Sequence, residues 1–108
     1  MEKLSSDFIY LKEMYADEYY PGFLVDKIRK EIEAVVAWLD EGSKPYGYIR
    51  ERFDNMTYAV NRLIDEFTEC GSGLEAVAKD SIGETVGQIL KYYGIDMSAD
   101  EALREHEW

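Results

Sequence analysis

The side chains able to do chemistry are few and poorly placed for it. His106 is the single histidine and stands between Glu105 and Glu107, which removes the metal, general-base and triad arrangements that need two histidines or one with a fixed partner. A solvated imidazole is the expectation there. Cys70 is the single cysteine. The pattern around it places it at the C-terminal end of a helix, where the helix dipole opposes formation of a thiolate. A Cys70–His106 nucleophile pair is therefore not expected to be catalytic.

Two further patterns resemble sites and fail on context. Cys70-Gly71-Ser72-Gly73 opens onto a helix N-terminus, where backbone amides can hold an anion. Phosphate loops of that kind follow a strand, however, and this one joins two helices, so a plain turn is expected. A di-metal helical bundle needs inward-facing glutamates with two Glu-x-x-His pairs. The residue three before His106 is Leu103, and Asp65, Glu66 and Glu69 fall beside or opposite an apolar stripe, as on a solvated face. No catalytic residue, metal ligand or cofactor site is expected.

The nine tyrosines are the most unusual feature. They concentrate at Tyr10, Tyr15, Tyr19 and Tyr20, at Tyr46 and Tyr48, and at Tyr92 and Tyr93. Tyrosine combines a large rigid contact area with a hydrogen-bonding tip and is enriched at binding surfaces, although in a small bundle it also lines core edges. Tyr15, Tyr19, Tyr20, Tyr46, Tyr48 and the terminal Trp108 are the candidate partner-binding residues. Trp38 reads as a core-edge residue.

The elements that must position these side chains read as helices throughout. A first helix is expected from Ser5, as N-cap, through Phe8, Leu11 and Met14 or Tyr15, with Leu4 stapled onto Ile9. The chain should turn at Pro21. From Gly22 to about Asp40, the residues Leu24, Val25, Ile28, Ile32, Val35, Val36 and Leu39 line one face. Gly42 ends that helix, and Pro45 suits the start of the next. Ile49, Phe53, Met56, Val60, Leu63 and Phe67, spaced 4-3-4-3-4, predict one uninterrupted third helix. Ser72 with Glu75 reads as a capping box opening a fourth, whose buried side is Leu74, Val77, Ala78, Ile82, Val86, Ile89, Leu90 and Tyr93, with Gly94 as a left-handed cap. Ser98 with Glu101 opens a short last helix. Gly83 and Gly87 inside the fourth helix mark either close approach of a neighbour or a locally soft helix.

No segment alternates apolar and polar residues over strand length. The predicted fold is all-α: one domain over residues 1–108, an antiparallel up-and-down bundle of four helices with a short fifth at the C-terminus. The length of 108 residues and a composition 46% hydrophobic and 32% charged suit a single globular core.

The net charge of −11 disfavours nucleic acid and anionic membrane surfaces. It is unevenly distributed, with 5 basic and 10 acidic side chains in residues 1–41, 4 and 5 in 42–70, and 3 and 8 in 71–108. The least acidic surface therefore surrounds Arg50, Arg52 and Arg62. A lone cysteine and an N-terminus without an apolar leader predict a cytoplasmic protein, and no apolar run approaches the length of a membrane span.

The segments Leu11-Lys12-Glu13-Met14-Tyr15, Asp17-Glu18-Tyr19-Tyr20-Pro21 and Phe23-Leu24-Val25-Asp26-Lys27-Ile28 resemble a family of small bacterial proteins known only as a domain of unknown function. The likeness extends through Tyr93-Gly94 to Trp108, and the tyrosine-proline turn is its most specific part. It implies a bacterial cytoplasmic origin and brings no mechanism. The residues themselves favour a non-enzymatic interaction protein, immunity- or inhibitor-like, that docks a basic or mixed-charge protein. The alternatives are a small-molecule or metal-binding bundle, or an enzyme of unknown type, built on Tyr58, Asn61 and Asp65 converging in the core, and a homodimer joined through the tyrosine-rich surface.

Overall fold

Both prolines stand where a missing backbone N–H costs nothing, immediately before a helix, and each carbonyl receives the first helical bonds. In the computed structural model, which describes residues 4 and 7–108, Leu24 and Val25 donate to the Pro21 carbonyl, and Tyr48 and Ile49 to that of Pro45. The chain forms α1 (Lys12–Ala16), α2 (Gly22–Leu39), α3 (Tyr46–Asn61), α4 (Ile64–Glu69), α5 (Ala76–Tyr92) and α6 (Ala99–Ala102). There is no strand among the described residues. The all-α expectation holds.

The apolar stripes do what their spacing requires. All seven stripe positions of α2 are buried, as are Ile49, Phe53, Met56, Val60, Leu63 and Phe67. They join α5 in one hydrophobic cluster that also takes in Leu11, Met14, Met97, Ala102 and Leu103. α2 packs on α3, α1 on α5 and α2, and α6 on α5 and α3.

Four expectations need correction. The first helix is much shorter than predicted. The Ser5 cap lies outside the described residues, and the helix begins only at Lys12, because Leu11 is buried with a left-handed backbone (φ 53°) and its amide donates to Thr85 Oγ1 at 3.0 Å. Three long helices of 18, 16 and 17 residues therefore stand where four were expected. The third helix breaks at Arg62 and Leu63, where Leu63 donates to the Val60 carbonyl three residues back. That one tightened turn leaves Leu63 and Phe67 facing inward, so the stripe carries no trace of it.

The Ser72–Glu75 capping box is not made. Glu75 holds the N-cap position of α5 with extended backbone and no side-chain bond, and Ser72 Oγ is buried without a partner. The Tyr20 hydroxyl supplies the cap instead, accepting from the Ala78 amide at 3.2 Å. Since α5 starts at Ala76, Val77 lies in its first turn on the solvent side and is exposed, against expectation, whereas Ala78 is fully buried.

The helix ends follow their glycines. At Gly94 (φ 66°) the amides of Gly94 and Ile95 bond the carbonyls of Lys91 and Leu90, a Schellman closure. Gly71 (φ 74°) closes α4 in the same way, through Gly71 to Thr68 and Ser72 to Phe67. Ser98 Oγ accepts from the Glu101 amide at 3.0 Å, as predicted.

Beyond α6 the chain runs back along α3 and is fastened to it. Arg104 forks onto Asp54, with Nε to Oδ1 at 3.0 Å and Nη2 to Oδ2 at 2.6 Å. Asn61 uses both ends of its amide, donating to the Glu105 carbonyl at 2.9 Å and accepting from the Glu107 amide at 3.0 Å.

Candidate functional site

The six residues singled out from the sequence do not form one surface. Tyr15 and Tyr19 lie just before α2, and Tyr46 and Tyr48 at the start of α3, beyond its far end. The 18 residues of α2 separate the two pairs by an axial rise of about 27 Å. Tyr20 leaves the candidate set: it is 5% exposed, caps α5, and stacks edge-on against Phe67 at 6.5 Å. Trp108 folds back against the core, with His106 tilted across its ring at 4.8 Å.

At the end marked by Tyr15 and Tyr19, both rings are exposed yet held. The Tyr15 hydroxyl donates to Asp26 Oδ1 at 2.5 Å, and partial burial followed by that carboxylate pushes its pKa up. The Tyr19 amide donates to Asp17 Oδ1 at 2.9 Å, and its ring meets Tyr20 edge-on at 5.1 Å, tying it to the core. Phe23 joins them at 59% exposed. It is off the α2 stripe, and that is its signal in the sequence, since an apolar side chain off the stripe has no core to enter. A groove beside Tyr15 is lined by Phe8, Ile9, Tyr10 and Arg29, whose guanidinium lies 5.1 Å over the Tyr10 ring. Asp17 and Glu18 make the adjoining surface acidic.

At the opposite end, the α2–α3 turn, the start of α3 and the segment after α5 enclose a cleft of about 340 Å³. Leu39, Ile49 and Ile95 supply apolar walls, and Asp40, Lys44, Tyr46, Tyr93 and Asp96 the polar groups. The buried Tyr93 donates to Asp40, and burial together with that carboxylate holds its hydroxyl far above the ordinary tyrosine range. Tyr46 donates to Glu101, which also lies 3.7 Å from Arg50. Lys44 is turned aside, 5.1 Å above the Trp38 ring and 3.5 Å from Glu41. Arg52 covers the same ring at 4.8 Å, which accounts for Trp38 as a core-edge residue.

Asp40, Lys44 and Asp96 were not among the candidates that the sequence offers. Nothing in the local spacing marks them, because the cleft is assembled from turns 50 residues apart. The polar trio Tyr58, Asn61 and Asp65 does not converge in the core: Tyr58 and Asp65 are exposed, and Asn61 is spent on the C-terminal segment. Gly83 has open space where a Cβ would stand, and at Gly87 the nearest atom is Ala99 Cβ at 3.9 Å, so neither is required by a close approach. Among the described residues, no three His, Cys, Asp or Glu side chains are grouped to hold a metal ion, and no helix is long and apolar enough to cross a membrane.

Residues 4–108 match the Family of unknown function (DUF5713), and the chain belongs to that family. Neither the curated proteins nor the solved structures contain a match.

Proposed function

We propose that the protein is a non-enzymatic, cytoplasmic interaction domain that docks a basic or mixed-charge protein through the aromatic surface at the start of α2. The observation that carries this reading is that Tyr15, Tyr19 and Phe23, close together in the chain around Pro21 and interleaved with Asp17 and Glu18, are all exposed. Aromatic rings already fixed by Asp26 and Tyr20 lose little freedom on binding. The surrounding charge steers a basic partner and contributes mainly to association rate. The same reading takes the chain as one domain, an antiparallel up-and-down bundle whose first stave is reduced to the short α1.

The test is an affinity pull-down from the lysate of the source organism at low and high salt, with wild-type protein and with Phe23→Ala and Tyr19→Ala. A specific protein retained at low salt, lost at high salt and lost with either variant supports the reading. Both variants should keep the wild-type circular dichroism spectrum, since neither ring is in the core. A partner whose capture ignores salt and both substitutions would overturn it.

A further inference from the structure

We propose that the cleft between the α2–α3 turn and the end of α5 binds an organic ammonium ion, a protonated amine carried on an apolar body. This inference is independent of the docking surface at the other end of the molecule. The cleft volume of about 340 Å³ lies at the lower end of the range for small-molecule sites. Leu39, Ile49 and Ile95 offer apolar contact to the body of a ligand, and Asp40 and Asp96 offer carboxylates to its head.

The choice of ligand class follows from which groups are already engaged. Among the described residues, Lys44 is the one basic residue lining the cleft, and its ammonium is committed to the Trp38 ring and the Glu41 carboxylate. Among the described residues, neither Asp40 nor Asp96 has an ion-pair partner. Asp40 is half-buried, and the hydrogen bond it receives among the described residues is from a neutral donor, the Tyr93 hydroxyl on Oδ1, so no described cation balances its charge. An anion meets two carboxylates here. A neutral apolar molecule desolvates Asp40 and returns nothing to it. An ammonium ion supplies both the charge and the donors. The C-terminal ends of α2 and α5 add partial negative charge, set against the positive ends of α3 and of the short α6.

The experiment is a titration of the 15N-labelled protein, followed by amide chemical shifts, with phenethylamine and with its neutral counterpart 2-phenylethanol. Phenethylamine should give saturable shifts centred on Gly42, Lys44, Gly94 and Asp96, and the alcohol should not. Asp40→Asn and Asp96→Asn should each weaken binding by about 10- to 100-fold, the range for a hydrogen bond to a charged group. Asp96 is exposed, so its variant tests the site even where Asp40→Asn perturbs folding. Equal responses to amine and alcohol, shifts centred elsewhere, or affinity unchanged in both variants would overturn the proposal. A parallel arm uses Nα-acetyl-lysine amide. Tighter binding of that probe assigns the ammonium to a lysine side chain of another protein, and tighter binding of phenethylamine assigns it to a free amine; either supports the ammonium site.

Discussion

Thr57 and Thr85 are both buried threonines, but their hydroxyls differ in what depends on them. Thr57 Oγ1 donates to the Phe53 carbonyl four residues back at 2.8 Å, an oxygen that sits within helical hydrogen-bond reach of the Thr57 amide in any case, and reaches the Ala102 carbonyl only at the long distance of 3.5 Å. Thr85 Oγ1 accepts from the amide of Leu11, a fully buried residue with left-handed backbone immediately before α1. Removing an acceptor from a buried donor costs about 1–3 kcal/mol, more than deleting a hydroxyl whose partner stays satisfied. Thr85→Val should therefore lower stability to urea by about 1–3 kcal/mol and Thr57→Val by under about 1 kcal/mol. Equal losses would place the value of Thr85 in its packing rather than in its bond to Leu11. Tyr20→Phe should behave like loss of an N-cap, costing about 0.5–2 kcal/mol, since it keeps the ring on Phe67 and strips only the cap from the Ala78 amide.

Among the elements, α5 is the one whose sequence is worst suited to its conformation. Gly83 and Gly87 each cost a helix interior about 0.5–1 kcal/mol relative to alanine. With open space at Gly83 and an ordinary contact distance at Gly87, Gly83→Ala and Gly87→Ala should each stabilise by that amount, read as a higher midpoint in thermal unfolding. A loss at Gly87→Ala alone would show that α6 needs the glycine to seat Ala99. What could be read in advance divides along the same line of local against distant causes. The buried face of α2, the Gly94 closure and the Ser98 cap are legible because residues within a turn or two determine them. The short α1 and the unmade Ser72–Glu75 box are not, because Thr85 and Tyr20 decide them from elsewhere in the chain, and the break at Leu63 is not, because it leaves the apolar stripe in phase. The candidate sites fall on the distant side of that line. Tyr15, Tyr19 and Tyr20 look alike in the sequence and only the fold separates the exposed pair from the buried third, just as the Asp40–Asp96 cleft exists only once two distant turns meet.

Taken as a whole, the molecule carries 23 acidic against 12 basic side chains, and its surplus carboxylates need donors that bring no charge. Tyrosine fills that role between elements: Tyr15 to Asp26, Tyr46 to Glu101 and Tyr93 to Asp40. This accounts for three of the nine tyrosines without any partner, and it has a consequence at high pH. Burial, and for Tyr46 first the Glu101 carboxylate, raises the pKa of Tyr10, Tyr15, Tyr20, Tyr46, Tyr58 and Tyr93 above the ordinary value near 10. A group whose folded pKa is raised keeps its proton in the native state while the unfolded chain gives it up. Its stabilisation is therefore complete below about pH 10 and is lost as pH rises through the folded value. Stability to urea should be nearly flat between about pH 7 and 9 and fall steeply above 10, as each phenolate formed adds to a charge already at −11. Tyr93→Phe removes the most strongly shifted of these groups while keeping its ring in the core. It should be less stable than wild type at pH 7 and lose less than wild type between pH 9 and 11. Parallel alkaline limbs for the two proteins would mean that general charge repulsion, rather than the tyrosine–carboxylate braces, drives the alkaline loss, and added salt would then restore stability equally in both.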